Sequence, residues 1–206
     1  MQQTAQSTNS RITSVKFVVA GGFGVGKTTF VGAISEIEPL RTEALMTTES
    51  SGIDDLTQIQ AKTTTTVAMD FGRITVDDTL VMYLFGTPGQ ERFGFMWDDI
   101  CLGALGAVVL VDPRRITDSF PGIDYFEATA IPFVVGVNIF DTAPRYPVPE
   151  IREALGVTPD TPIVECDARE KNSVKMVLLT LLESLVARAR ARVQAQAEAQ
   201  PQAQSY

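Results

Sequence analysis

The chain has 206 residues, 17 Lys and Arg against 25 Asp and Glu, a formal net charge of -8 and no histidine. Without imidazole it has no Ser-His-Asp or Cys-His catalysis and no histidine-ligated metal. Its acidity argues against nucleic-acid binding, which rests on Lys and Arg at phosphates. With 45% hydrophobic and 20% charged residues it has the composition of one globular domain.

Residues 1–13 form a polar lead without the basic and apolar regions of a signal peptide. Val15 to Ala20 is a β-branched and aromatic run stopped by Gly21-Gly22, a strand entering a tight loop. Phe30, Val31, Ile34 and Ile37 then recur at helical spacing, in a predicted helix from Thr28 to Ile37 that ends before Pro39. Leu40 to about Lys62 is polar with little apolar rhythm, and a connection this long is functional or disordered. Thr66 to Val76 and Thr79 to Phe85, split by Asp77-Asp78, are expected to pair as an antiparallel hairpin.

Leu105 to Val111 and Phe133 to Val137 are nearly continuous apolar runs, suited to strands covered on both faces. A short strand at Pro162 to Cys166 leads into a helix from about Ser173 to Val193, whose apolar face carries Val174, Val177, Leu178, Leu181, Leu182 and Leu185. Residues 194–206 are a Gln/Ala-rich tail. Cys101 and Cys166 sit beside apolar runs and are expected to be buried thiols in a reducing, cytoplasmic setting. The longest apolar run, Ile100 to Val111, is too short to span a bilayer, so direct membrane insertion is not expected. The order of elements predicts one α/β domain over residues 14–193.

Gly21 to Thr28, GGFGVGKT, matches G-x-x-x-x-G-K-[ST] in full. Backbone N–H groups must turn inward there to enclose phosphate, Lys27 can reach the outer phosphates, and the Thr28 hydroxyl can ligate Mg²⁺. A nucleoside triphosphate is the expected ligand. Asn138-Ile139-Phe140-Asp141 follows the run at 133–137, at the strand end where ligands bind in open α/β sheets. There a carboxylate can accept from both the ring N–H and the exocyclic amine of guanine, a pair adenine does not offer.

With these motifs the chain resembles the Ras-like small GTPases. Their N-K-x-D motif is matched by Asn138 to Asp141, their S-A-K loop by Asp167-Ala168-Arg169, and their D-x-x-G-Q-E motif by Gly86 to Glu91. Stretches FGTPGQERF and TTTTVAMDFG look more particularly like the conservon-type GTP-binding proteins of actinobacteria, which are related to MglA. The resemblance implies a three-layer P-loop fold with a mostly parallel six-stranded sheet and one antiparallel strand. It implies GTP and GDP as ligands, Mg²⁺ as cofactor, a roadblock-type regulatory partner, and a membrane sensor-kinase-like protein that recruits the chain to the membrane. Nucleotide contacts are expected from Gly22, Gly24, Val25, Gly26, Lys27, Thr28, Thr29, Gly89, Asn138, Asp141, Asp167, Ala168 and Arg169. Thr28 and Thr66 are the expected metal ligands, with Thr65 the alternative to Thr66, and Gln90, Lys27 and Thr66 the catalytic set.

Three positions depart from the pattern. Gly86 replaces the aspartate that supports the metal's hydration shell, so retention of nucleotide should weaken unless another acid compensates. Phe23 is bulky inside the phosphate loop and predicts slow intrinsic hydrolysis. Ile139 replaces the lysine that packs along the base. Arg41 and Lys62 could bring a cation in cis to the γ-phosphate, although solvated surface charge explains them better. Phe93, Phe95, Met96 and Trp97 divide between core packing and a partner-facing patch. The competing readings are a degenerate GTPase that binds without turnover and a P-loop kinase, in which Asn138 to Asp141 would have no role.

Overall fold

The computed structural model describes residues 12–38, 40–47 and 64–199. Lys62 and the outermost parts of the lead and tail lie outside the described residues, as do the side chains of Arg41, Thr65 and Thr66. The elements are β1 (Thr13–Ala20), α1 (Lys27–Ile34), β2 (Leu40–Thr47), β3 (Thr64–Asp77), β4 (Leu80–Gly86), α2 (Trp97–Cys101), β5 (Gly106–Val111), α3 (Phe120–Thr129), β6 (Phe133–Asn138), α4 (Val148–Leu155), β7 (Ile163–Cys166) and α5 (Lys171–Ala199). Short 3₁₀ turns at Glu91–Met96 and Ile116–Ser119 precede α2 and α3.

The strands form one sheet in the order β2-β3-β4-β1-β5-β6-β7. β1 lies parallel to β4 and β5, and β5, β6 and β7 continue in parallel, whereas β3 runs antiparallel to both β2 and β4. This is the expected mostly parallel sheet with one antiparallel strand. Among the described residues it has seven strands rather than six, because β2 forms at Leu40–Thr47, in a stretch whose pattern predicts only a polar connection. Backbone pairing with β3 explains the difference: a strand at the sheet edge needs one bonded neighbour and no apolar alternation.

Two cores follow from the burial of both sheet faces. Phe17, Val19, Leu84, Val108, Leu110 and Val134 face α1 and α5, meeting Phe30, Val31, Val174, Val177 and Leu181. Val18, Ala20, Val109, Val111, Val135 and Val137 face the other way, against Ile100, Ile123, Phe126, Ile151 and Leu155. β5 and β6 are buried along their whole length, as continuous apolar runs require. α1 ends at Ile34, before Pro39 is reached. Ser35 then takes over, its hydroxyl donating to Ile37 O at 2.7 Å while Glu36 N–H donates to Arg73 O at 2.8 Å. The β3–β4 hairpin turns at Asp78-Thr79, where Asp77 Oδ1 accepts from both the backbone N–H and hydroxyl of Thr79 at 2.7 Å.

Candidate functional site

The C-terminal ends of β1, β5, β6 and β7, together with the end of β4, open on one edge of the sheet, and the loops that leave them carry the expected motifs. Between β1 and α1, the loop Gly21 to Gly26 turns back on itself. Gly26 has φ 105°, and a Cβ there would stand 2.7 Å from Asn138 Nδ2, so no larger residue fits. α1 then starts at Lys27 with its free N–H groups facing the loop, a ready site for anionic oxygen. Lys27 is 8% exposed, and its Nζ donates to Gly21 O at 2.8 Å and Gly22 O at 2.9 Å. Burial lowers its pKa to about 8, and the charge of Asp70 partly offsets that effect.

Thr28 Oγ1 donates to Asp70 Oδ2 at 2.8 Å. Asp70 belongs to β3, yet its carboxylate stands beside Gly86 at the end of β4. A Cβ on residue 86 would lie 3.0 Å from Asp70 Cβ and 3.2 Å from Oδ2. The acid missing at position 86 therefore has a counterpart from the adjacent strand. Next to it, Thr87 is 2% exposed with its hydroxyl unpartnered among the described residues. Lys27, Thr28, Asp70, Thr87 and Gly89 line one cleft of about 420 Å³, floored by Gly24 and Gly26. One hydroxyl, one carboxylate and an orphaned buried hydroxyl suit a hard cation that keeps much of its water and takes the rest of its ligands from phosphate. Magnesium fits this donor set. Among the described residues no cluster of three or more His, Cys, Asp or Glu would hold a softer or all-protein site.

A second cleft of about 350 Å³ shares Gly24, Gly26 and Thr29 with the first and continues to Asn138, Asp141 and Arg169. Asn138 is 4% exposed and binds two loops at once. Its Nδ2 donates to Val25 O at 2.8 Å, and its Oδ1 accepts from Ala168 N–H at 3.0 Å. Asp141 stands exposed, and Arg169 donates to both of its oxygens at 2.9 and 3.0 Å. Arg169 also donates to both oxygens of Asp167, whose pKa these bonds hold down to about 2. Where a lysine would pack, Ile139 lines the cleft, and its backbone N–H donates to Cys166 O at 2.7 Å. Arg114 instead lies over the Phe140 ring at 3.8 Å and is held by a bidentate pair with the buried Asp112.

The structure thus brings Gly24, Gly26, Lys27, Thr28, Thr29, Gly89, Asn138, Asp141, Asp167, Ala168 and Arg169 to the lining of these two adjoining clefts, while Val25 is buried behind them and bonded to Asn138, and Gly22 lines the neighbouring cavity. Gln90 stands apart. It is exposed and lines a neighbouring cavity of about 310 Å³ with Gly22, Trp97, Pro121 and Tyr125, which meets the phosphate cleft at Pro88 and Gly89. Thr66 pairs with Leu45 in the β2–β3 ladder. Phe23 is 67% exposed at the mouth of the phosphate cleft, its carbonyl oxygen accepting from Arg115 Nη2 at 2.9 Å. Of the aromatic group, Phe93 is buried and Trp97 packs against Tyr125 and Phe126, while Phe95 remains 61% exposed. Asp70, Thr87, Arg114 and Arg115 have no site role in the sequence motifs. The two arginines sit directly after β5, and the C-terminal position of a parallel strand was the signal available.

These features define a P-loop nucleotide-binding protein with a G-domain-like α/β fold. The chain belongs to the family described as conserved hypothetical ATP binding protein, whose sequence model matches residues 19–188. It is 33% identical over 129 residues to the uncharacterized protein MJ1339 of Methanocaldococcus jannaschii, covering 62% of this chain and 71% of that one. Among solved structures it is similar to the FeoB G-domain from Methanococcus jannaschii, with TM-score 0.55, 14% identity, and coverage of 84% of this chain and 99% of that one. The cytosolic domain of the T. maritima FeoB iron transporter matches in its apo form with TM-score 0.58 and in its GDP form with 0.57, each at 16% identity. The match spans 84% of this chain and 64% of each of those chains. Identities this low establish a shared fold.

Proposed function

We propose that this chain is a guanine-nucleotide switch that binds GTP with Mg²⁺ and hydrolyses it slowly to GDP. The observation that carries the reading is Asp141, an exposed carboxylate at the end of a buried parallel strand. Asn138 anchors its loop to Val25 of the phosphate loop. That carboxylate has two acceptors for the N1–H and 2-amino donors of guanine. Adenine offers one donor on the corresponding edge. The family's description as ATP binding supports adenine as the competing ligand, and Asp141 is the reason to prefer guanine.

Lys27 and the first turn of α1 would hold the β- and γ-phosphates, Thr28 would hold Mg²⁺, and Asp70 and Thr87, beside it in the cleft, would help to hold the ion. Thr66 would complete the metal set, as the motif resemblance implies. The metal supplies neutralisation of charge on the phosphoryl oxygens. Hydrolysis needs water held in line with the γ-phosphorus, and Gln90 is the side chain assigned to it by its motif. Gln90 lies in the neighbouring cavity and Phe23 stands at the cleft mouth, so turnover waits on a rearrangement of residues 88–97. The same placement favours the second reading, a nucleotide-binding module with little turnover. A roadblock-type partner, implied by the motif resemblance, would meet the protein at this segment, where Phe95 is exposed. A sensor-kinase-like protein would then account for recruitment to the membrane, since no helix among the described residues is long and apolar enough to cross one.

Competition binding with GTP, GDP, ATP and ADP tests the base assignment, and single-turnover phosphate release tests hydrolysis. Adenine nucleotides displacing a fluorescent GDP as well as guanine nucleotides do would overturn the guanine reading. Tight GTP binding without phosphate release, with or without the partner, would leave the binding module.

A further inference from the structure

The carboxylate that would read guanine is already held by a side chain of the same protein. Arg169 Nη1 donates to Asp141 Oδ2 at 3.0 Å and Nη2 to Oδ1 at 2.9 Å, a two-pronged pair on one carboxylate. On its other flank, Nε and Nη2 donate to Asp167 Oδ1 and Oδ2 at 2.9 and 2.8 Å. Guanine presents to a carboxylate two parallel N–H donors attached to one carbon, N1–H and the 2-amino group. A guanidinium presents the same fork. The inward-facing lone pairs of a carboxylate accept one such fork at a time.

We propose that Arg169 is an internal competitor for the guanine base, occupying Asp141 in the nucleotide-free protein and yielding it when guanine binds. This deepens the guanine-nucleotide reading and rests on it. The loop is built for the exchange. Asp167 is anchored from behind by its own N–H, which donates to Ser173 Oγ at 2.9 Å, and it also accepts the Arg169 N–H at 3.0 Å. When the Asp141 half of the contact is surrendered, Arg169 keeps its bonds to Asp167 and stays beside the base. Asp141 and Arg169 are 75% and 52% exposed, so the pair is screened by solvent and breaks at modest cost. The consequence is a lowered apparent affinity, by the fraction of molecules in which Asp141 is free. Adenine makes no fork with Asp141 and does not have to displace Arg169.

Stopped-flow binding of N-methylanthraniloyl GDP and ADP to wild type, Arg169→Ala and Arg169→Lys tests the proposal. Removing an exposed pair of this kind should raise the GDP association rate about threefold to fivefold in Arg169→Ala. Arg169→Lys should match it within about a factor of two, because an ammonium keeps the charge but not the fork. ADP association should change less than GDP association across the three and should not rise in Arg169→Ala as GDP association does, and raising salt should narrow the GDP difference by weakening the wild-type pair. A wild-type GDP rate in Arg169→Ala, or in Arg169→Lys alone, would overturn the competitor while leaving guanine preference intact. Wild type that binds ADP as well as GDP would instead refute the guanine reading.

Discussion

Lys27 has the strongest environmental coupling at the phosphate cleft. Burial holds its pKa down to about 8 in the free protein, where its ammonium donates to the carbonyls of Gly21 and Gly22. Phosphate oxygens alongside it favour the charged form and raise that pKa on binding. Above pH 8 the free protein is mostly deprotonated at Lys27 while the bound protein is not, so GDP binding should take up close to about one proton there. Below that pH the amine is charged in both states and uptake vanishes. Calorimetry in two buffers of different ionisation enthalpy measures it, and affinity should fall as pH rises through 8. Uptake of no proton at high pH would show that Lys27 does not meet phosphate.

The pairing of Asp70 with Gly86 changes what substitution at position 86 should do. From sequence, Gly86→Asp restores a missing carboxylate and slows nucleotide release. In the structure its Cβ would press on Asp70, and two carboxylates would face one another. The single substitution should therefore destabilise the protein, while Asp70→Ala should speed magnesium-dependent GDP release by about tenfold, as loss of one charged hydrogen-bonding partner implies. The double variant Asp70→Ala with Gly86→Asp should recover slow release. Off-rates of fluorescent GDP with and without chelator decide the matter, and an Asp70→Ala rate equal to wild type would remove Asp70 from the metal site.

At the scale of elements, the Asn138 side chain ties the end of β6 to the phosphate loop and to the loop after β7. Asn138→Ala leaves the Ala168 N–H and Val25 carbonyl without their partner in a buried place, and should lower stability by about 2–3 kcal/mol in urea unfolding. A loss below experimental error would mean that water replaces it. α5 has two different halves. Up to Leu185 it packs on the sheet, with Leu181 only 1% exposed, whereas residues 188–198 are exposed throughout. Leu181→Ala should cost about 3 kcal/mol, and a chain cut after Ala187 should melt within a few degrees of the full chain.

Elements with a strong period were legible in this way. β1, β5, β6 and the apolar face of α5 lie within a few residues of their expected bounds, since buried strands and one-sided helices must write their environment into side-chain hydrophobicity. β2 was not legible, because its partner is backbone. Nor were α3 and α4 picked out. α4 has only two buried side chains, Ile151 and Leu155, and α3 packs through Gly122, Ile123 and Phe126.

For the whole molecule, a net charge of -8 coexists with an anion site because the field at the phosphate loop is local, made by the start of α1 and the buried ammonium of Lys27. A ligand that binds only the folded state stabilises it by mass action. GDP with Mg²⁺ at about a hundred times its dissociation constant should add about 2.7 kcal/mol, and ADP at the same concentration much less. Parallel melting curves test this, and equal shifts would count against guanine selection. By itself, the sequence determined the P-loop, the parallel-sheet domain and the loops that would carry base and phosphate, because each is a local pattern of residue types at set spacing. Only the tertiary structure decided that Asp70 stands at the place left open by Gly86, that Gln90 lines the cavity next to the phosphate cleft and not the cleft itself, and that Arg169 occupies Asp141. Those are contacts between residues far apart in the chain or between loops free to turn either way, and their geometry follows from how the strands align, which no single segment encodes.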